Sequence, residues 1–150
     1  MAQSLAKIYV HLIFSTKRRE RFQLDAIRSS LHAYVGGVLR DLDSPALEIM
    51  SEPEHMHILF LLSRTQTISD VVGQVKRGSC SWLKTKQPAY SHFHWQNGFG
   101  AFSVSQSAVD EVREYIRDQR GHHKRVTFLD EFRTFLRLYE VKFDERYVWD

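Results

Sequence analysis

The order of apolar and polar positions along the chain predicts a mixture of strands and helices. The first of four predicted strands is rich in β-branched and aromatic side chains, and the other three are shorter segments; four further segments repeat apolar side chains every three or four positions, as helices do. The predicted strands are 5–15, 47–51, 55–62 and 101–105, and the predicted helices are 23–41, 67–86, 107–120 and 128–139.

This order of elements, β-α-β-β-α-β followed by two helices, predicts an α+β fold of the ferredoxin-like type with a four-stranded antiparallel sheet. Segment 55–62 is apolar on both faces, so we expect both faces of the sheet to be covered. We interpret residues 1–150 as one domain, with a core of about 5–125 and a C-terminal helical appendage of about 126–150. The appendage is a candidate cover for the sheet or part of a dimer contact.

Composition narrows the class of protein. The chain has 150 residues and 43% hydrophobic side chains, enough to bury a core without disulfides. Its one cysteine, Cys80, cannot form an intrachain bridge. The apolar runs are far shorter than the ~20 residues of a membrane span, and the first 22 residues do not resemble a cleaved signal sequence. These features predict a soluble, cytoplasmic protein without a membrane partner.

The charge is unevenly distributed along the chain. Residues 1–129 hold 17 basic and 12 acidic side chains, whereas residues 130–150 hold four basic and six acidic ones. Basic clusters with aromatic side chains nearby are typical of surfaces that bind nucleic-acid phosphates, although a merely solvated cationic surface fits equally well. The candidate DNA-binding residues are Lys17, Arg18, Arg19, Arg21, Lys76 and Arg77, with Lys84 and Lys86 on the same predicted helix as the last two.

The first candidate for chemistry is the pair His55 and His57 at the start of a predicted strand. Alternation puts both imidazoles on one face, with Cα atoms ~6.6–6.8 Å apart, so that they could share a divalent cation. Two ordinary strand histidines remain an open alternative. A second His-x-His, at His92 and His94, falls in a predicted loop, which fixes no common face and makes it the weaker metal candidate.

The second candidate is the pair Tyr115 and Gln119, which lie one turn apart at the edge of an apolar helical stripe. A tyrosine hydroxyl can attack phosphorus when a cation on a nearby histidine pair draws charge from the phosphate. The amide oxygen of Gln119 could complete such a ligand set, which would suit Mn²⁺ more comfortably than Mg²⁺. A packed boundary tyrosine is the simpler alternative for Tyr115 taken alone.

Several segments together carry a resemblance to a known family. They are the strand His55-Met56-His57, the helix with Tyr115 and Gln119, the opening Val10-His11-Leu12-Ile13-Phe14-Ser15-Thr16-Lys17, and Trp95-Gln96-Asn97-Gly98-Phe99 leading into Phe102-Ser103-Val104. Over roughly residues 5–130 the chain resembles the HUH-type single-tyrosine transposases, and most closely the small transposases of the "IS two-hundred" group.

The resemblance implies an enzyme that nicks and rejoins single-stranded DNA at hairpin-bearing ends of a mobile element. It implies His55, His57 and Gln119 as ligands of Mg²⁺ or Mn²⁺, and Tyr115 as the nucleophile that forms a 5′-phosphotyrosine. It further implies a homodimer, in which the two subunits of some members share the active site. A domesticated relative that acts on chromosomal hairpin repeats would carry the same residues.

Other residues near these motifs have weaker interpretations. His11 could lie beside the histidine pair if the first and third strands are adjacent, more simply as a hydrogen-bonded neighbour than as a ligand. Glu54 is a candidate partner for a ligating histidine. His122 and His123 are interpreted as a solvated or phosphate-facing pair.

Two other functions fit the same sequence. A non-catalytic ferredoxin-like protein could bind single-stranded nucleic acid through aromatic side chains, without a metal and without Tyr115. A metal-dependent phosphoesterase could hydrolyse phosphodiesters with metal-bound water and would tolerate Tyr115→Phe. A cysteine or serine hydrolase is disfavoured, because Cys80 lies in a predicted helix with no motif around it.

Overall fold

A computed structural model describes residues 2–119, 121 and 126–150. Its sheet consists of β1 (Ile8–Ser15), β2 (Ala46–Glu52), β3 (His55–Leu62) and β4 (Gly100–Val104). The strands lie in the order β2-β3-β1-β4, and every neighbouring pair is antiparallel. This is the order of a ferredoxin-like sheet, so the predicted fold class is confirmed.

The helices are α1 (Arg28–Asp41), α2 (Ile68–Lys84), α3 (Val109–Arg117) and α4 (Phe128–Leu138). Thr67 caps the N-terminus of α2, because its hydroxyl accepts a hydrogen bond from the backbone N–H of Asp70 at 3.1 Å. Helix α3 is shorter than the predicted 107–120, because a 3₁₀ turn at Gln106–Ala108 precedes it and α3 itself ends at Arg117. The predicted pair His122 and His123 lies outside the described residues.

One face of the sheet packs on α1 and α2. Alternate residues of β1 and β3, among them Leu12, Phe14 and Ile58, are fully buried against Leu31 and Val75 of these two helices. Each Å² of apolar surface removed from water contributes about 25 cal/mol, so this core is the main source of folding free energy. The side chains between them, including the candidate histidines, therefore point to the opposite face.

The opposite face is covered by α3 and α4. Ile116 of α3 packs near Leu59 and Tyr9, whereas Phe132 of α4 packs near Ile13. The two helices thus cover different parts of the same face. The C-terminal segment accordingly packs on the sheet, which is one of the two roles considered for it from the sequence, and this places α4 over the histidines of β3.

Gly100 allows α4 to approach the sheet closely. A Cβ at this position would lie 2.3 Å from Cε2 of Phe132, far inside van der Waals contact. We expect Gly100→Ala to destabilise the fold by about 1–3 kcal/mol, because Phe132 must move and the helix must move with it. Urea unfolding followed by circular dichroism measures this effect.

The matched control is Gly37→Ala in α1. A Cβ there would meet only the flexible end of Arg40, at 3.6 Å. Since alanine is the better helix former, we expect this variant to keep or raise stability, by up to about 1 kcal/mol. Equal stability losses in the two variants would contradict the proposed contact between Gly100 and Phe132.

Across the described part of the chain, none of the helices combines the length and the apolar character that a membrane crossing requires.

Candidate active site

The histidine pair lies where β3, one of the two inner strands, begins, on the face covered by α3 and α4. In the register of β1 and β3, Ser15 is opposite His55 and Ile13 is opposite His57. The pair is buried, with exposures of 1% for His55 and 0% for His57, and the two ring centroids are 5.2 Å apart. The predicted placement of both imidazoles on one face is therefore what the structure shows.

His55 is held in place by the residue before it. Its Nδ1 lies 2.9 Å from Oε1 of Glu54, and its ring stacks on Phe128 of α4 with centroids 4.5 Å apart. Glu54 thus has the predicted role of a partner to a candidate ligand. Because Nδ1 is bonded to Glu54, Nε2 is the nitrogen of His55 with which the ring could bind a cation.

Two partners fix the ring of His57. Its Nδ1 lies 2.9 Å from Nε2 of His11, and its Nε2 lies 2.9 Å from Oε1 of Glu131. Burial, and then the charge of His57, lower the pKa of His11 to about 3, so His11 is neutral at physiological pH. The adjacency of the first and third strands, β1 and β3, is confirmed. His11 therefore lies beside the pair as a hydrogen-bonded neighbour that orients His57.

Helix α3 brings Tyr115 to the same place. The Tyr115 hydroxyl donates a hydrogen bond to Oε2 of Glu131, and its ring centroid lies 6.0 Å from that of His57. Burial, and then the negative charge of Glu131, raise the pKa of the Tyr115 phenol above its usual value of about 10. A cation on the histidine pair would act in the opposite direction by favouring the phenolate.

Gln119 also lies at this site. Its side chain is fully buried, and Nε2 donates a 3.2 Å hydrogen bond to the backbone carbonyl of Tyr115. A side-chain hydrogen bond from Gln119 also lowers the pKa of the Tyr115 phenol, against the effect of burial. The structure therefore places Gln119 beside the candidate nucleophile, and its role as a metal ligand stays a prediction.

Glu131 is the site residue that the sequence analysis missed. It lies on α4, is 3% exposed, and bonds both His57 and Tyr115 through its two carboxylate oxygens. A signal was available, since at ~100° per residue Glu131 falls about 40° from Phe135 on a helical wheel. An acidic side chain next to the apolar stripe of a helix is expected to have a partner in the protein.

The donor atoms fit a divalent cation. Within the described ranges, the cluster of potential ligands consists of His55, His57 and Glu131, with one ligand atom of each within 4.8 Å of the others. Two imidazole nitrogens and a carboxylate oxygen are a mixed donor set that suits Mn²⁺ and accepts Mg²⁺ less readily. These residues would hold the metal, with Glu54 and His11 as their hydrogen-bonded supports.

The first basic cluster lies beside this site. Lys17, Arg18 and Arg19 form a short 3₁₀ turn directly after β1, and the first two are exposed. Arg21 is bonded to Glu54, with 2.8 Å between Nη1 and Oε2, although its side chain is 71% exposed. This cluster is accessible from solvent, as a contact with phosphates requires.

The two residues of the second basic cluster, Lys76 and Arg77, differ in their contacts. The ammonium of Lys76 donates hydrogen bonds to the backbone carbonyls of Gln96, at 2.9 Å, and of Gly98. Burial lowers the pKa of Lys76 to about 8. Lys76 therefore anchors the loop before β4, whereas the neighbouring Arg77 is exposed and is the more accessible of the two to DNA.

The loop histidines do not join the site. His92 and His94 are both exposed, whereas Phe93 between them is buried with Phe22 and Trp95. Their alternation resembles that of a strand, with the aromatic ring turned inward and the imidazoles outward. The structure thus separates the second His-x-His from the histidine pair of β3.

Comparisons with known proteins agree with the fold described above. A structure of a protein of Deinococcus radiodurans R1 assigned as a transposase has a TM-score of 0.61 and 21% identity, over 79% of this chain and 98% of that one. A REP-associated tyrosine transposase bound to a REP hairpin has a TM-score of 0.62 and 18% identity, over 84% of this chain and 74% of that one. No curated protein sequence matches the chain. The family described as "Transposase IS200 like" matches residues 4–119, and the chain therefore belongs to the IS200-like transposases.

Proposed function

We propose that this transposase nicks and rejoins single-stranded DNA with Tyr115 as the nucleophile. The observation that carries the proposal is one shared carboxylate: Oε1 of Glu131 contacts His57, and Oε2 accepts the hydrogen bond of the Tyr115 hydroxyl. A phosphate oxygen bound near the histidines would thus lie beside the attacking oxygen. Such proximity within one chain is a large part of what an enzyme contributes to a displacement at phosphorus.

The proposed step exchanges one phosphoester bond for another. The Tyr115 oxygen forms a bond to phosphorus, and the bond between phosphorus and the 3′ oxygen of the strand breaks. The phenol proton passes to Glu131, which already accepts it in a hydrogen bond, and the departing 3′ oxygen takes up a proton to become a hydroxyl. The 5′ end remains on Tyr115 as a phosphotyrosine, so a second 3′ hydroxyl can reverse the reaction without an external energy source.

The chain's own residues prepare this step. His55 and His57, with Glu131 or Gln119 as a third donor, would hold Mn²⁺ or Mg²⁺, which stabilises negative charge on the phosphate oxygens. His11 and Glu54 fix the orientation of the two imidazoles. Gln119 donates toward the phenol oxygen and so favours its charged form. The burial of these groups strengthens each interaction by excluding water.

The proposed substrate is single-stranded DNA that carries a hairpin near the cleavage position. The exposed cations at Lys17, Arg18 and Arg21 are suited to its phosphates. The relative bound to a REP hairpin supports a hairpin partner for this chain as well. Both a mobile-element enzyme and a domesticated relative acting on chromosomal repeats would use this chemistry. We further propose that two copies of the chain associate as a homodimer, as the resemblance to the family implies.

A cleavage assay tests this proposal. Hairpin oligonucleotides from the DNA flanking the gene, labelled at the 3′ end, are incubated with the protein and Mn²⁺, Mg²⁺ or EDTA. We expect a labelled band that migrates with denatured protein only when a divalent cation is present, together with an unlabelled product that ends in a 3′ hydroxyl. Binding without cleavage in every metal would instead favour a non-catalytic binding protein.

A further inference from the structure

The second His-x-His, His92-Phe93-His94, has no role in the proposed chemistry, and the structure places its two imidazoles on a common side. The ring centroid of Phe93 lies 4.8 Å from that of Phe22 and 4.7 Å from that of Trp95, so this ring is buried. His92 and His94 on either side of it are both exposed. Because the middle residue is turned inward, its two neighbours are turned outward together.

The backbone that carries these histidines is held by the segment that follows β1. The N–H of Lys17 donates to the carbonyl of His94 at 2.8 Å, and Thr16 forms an antiparallel bridge with Trp95. Cα atoms two positions apart lie within about 7 Å of each other, so the two imidazoles start from neighbouring points on a fixed backbone. A ligand that uses both would therefore have little backbone to order.

Both histidines line one small cavity. It has a volume of about 260 Å³ and lies between residues 16–23 and the loop 89–94. Glu20 lines it as well, and the Glu20 side chain is exposed. The volume is below the ~300–1,000 Å³ of a typical site for a drug-sized ligand, but it holds several water molecules of ~30 Å³ each. The cavity therefore suits an ion with part of its water shell.

The charges of the lining do not oppose a cation. Glu20 supplies one carboxylate. Arg21 also lines the cavity, but its Nη1 lies 2.8 Å from Oε2 of Glu54, so a carboxylate offsets its positive charge. A divalent ion in the cavity would thus meet one carboxylate and two imidazoles, with the nearest guanidinium already paired.

The donor set differs from that of the buried cluster on β3 and α4. Two exposed imidazoles and a carboxylate, with water in the remaining position, are donors that suit tetrahedral Zn²⁺. Nitrogen-rich sites bind Zn²⁺ more tightly than Mn²⁺. The ligand atoms of His92, His94 and Glu20, all in the described part of the chain, do not lie within 4.8 Å of one another. A cation would therefore draw these exposed side chains together by rotation about their own bonds.

From these observations we infer that His92 and His94, with Glu20 as the third donor, form a second metal site that takes Zn²⁺ in preference to Mn²⁺ or Mg²⁺. An ion bound there would join the loop 89–94 to the segment that carries the turn Lys17–Arg19. The site is thus structural, and it fixes the position of the first basic cluster. It does not depend on the chemistry proposed for Tyr115.

Equilibrium dialysis of the full chain against Zn²⁺, followed by metal analysis, tests the inference. We expect the wild type to bind one Zn²⁺ per chain more than the double variant with His92→Ala and His94→Ala. Ser91→Ala, an exposed control on the same loop, should bind as much Zn²⁺ as the wild type. Equal Zn²⁺ stoichiometry in the wild type and the double variant would overturn the inference.

The same dialysis against Mn²⁺ tests the preference for zinc. The double variant should then bind as much Mn²⁺ as the wild type, and a loss of Mn²⁺ together with the two histidines would contradict the preference. Both substituted side chains are exposed, so the variant should fold. If circular dichroism shows that it does not, His92→Ala alone takes its place, with a Zn²⁺ affinity at least about 10-fold below wild type as the expected result.

Glu20→Gln tests the third donor. The substitution keeps the size of the side chain and removes its charge, so we expect at least about threefold weaker Zn²⁺ binding. Glu140→Gln, at another exposed glutamate, is the matched control. Equal affinities in these two variants would overturn the assignment of Glu20.

Protection from diethyl pyrocarbonate, which modifies accessible imidazoles, locates the ion on the chain. Trypsin releases residues 87–113 as one peptide, whose histidines are His92 and His94. Zn²⁺ should lower the modification of this peptide at least about fivefold relative to Mn²⁺, because a nitrogen bonded to a cation has no lone pair to react. An unprotected peptide would place the Zn²⁺ elsewhere. The Mn²⁺-dependent cleavage assay decides the proposed function separately from these results.

Discussion

Tyr115→Phe is expected to abolish the covalent protein–DNA product while leaving hairpin binding within about twofold of wild type. The substitution removes the attacking oxygen and the hydrogen bond to Glu131 but keeps the ring, which packs near Phe135 and His57. Loss of a hydrogen bond to a carboxylate costs about 1.5–3 kcal/mol, less than the about 5–15 kcal/mol by which a typical domain is stable, so the fold should persist. Denaturing gels of labelled hairpin DNA with Mn²⁺ measure the covalent product, and anisotropy measures binding.

Tyr139→Phe is the matched control for this substitution. The Tyr139 hydroxyl donates a 2.9 Å hydrogen bond to the carbonyl of Ser103, outside the histidine cluster. This variant also loses one tyrosine hydroxyl and its hydrogen bond, and we expect it to form the covalent product at the wild-type level. Cleavage that survives Tyr115→Phe would identify water as the nucleophile and make the protein a metal-dependent phosphoesterase.

Glu131→Gln is expected to weaken Mn²⁺ binding at least about 10-fold. The substitution keeps the size of the side chain but removes the negative charge from the cluster with His55 and His57. Isothermal titration of the metal-free protein with Mn²⁺ measures the affinity. Glu145→Gln is the control, because Glu145 is an exposed carboxylate on the same segment that is paired with Arg133.

A parallel titration of Gln119→Leu separates the two candidates for the third ligand. If Glu131 binds the cation, Gln119→Leu should change the affinity for Mn²⁺ by less than about threefold, since its amide then only supports Tyr115. A large loss in Gln119→Leu with an unchanged affinity in Glu131→Gln would instead assign the ligand role to Gln119, as the resemblance to the family implies.

The sequence was most informative where local patterns and topology agree. The alternation of β3 places His55 and His57 on one face, and the ferredoxin-like strand order makes β1 its neighbour, which brings His11 to His57. The helical spacing of Tyr115 and Gln119 likewise survives in the structure, although regular helix ends at Arg117. In each case the relevant contact joins residues a few positions apart along the chain, or strands whose pairing the fold class fixes.

Glu131 shows what such patterns leave open. Its contact with His57 joins residues 74 positions apart, and it depends on how α4 lies across the sheet. The spacing of apolar residues in α4 predicts a helix with a buried face, but the face is compatible with packing on the sheet or on another molecule. The close approach of Phe132 to Gly100 favours packing of α4 on the sheet. This contact exists only in the folded chain, so the spacing of apolar residues does not predict it.

The arrangement of Tyr115 over the histidines of its own chain has a kinetic consequence. Because the hydroxyl and His57 share one carboxylate within a single polypeptide, the fold would set the effective concentration of the proposed nucleophile at the candidate metal site. Diluting the protein therefore leaves this local concentration unchanged. Once a strand is bound, the rate at which it becomes attached to Tyr115 should be first order and independent of how many copies of the protein are present, whatever role association plays in joining two DNA ends.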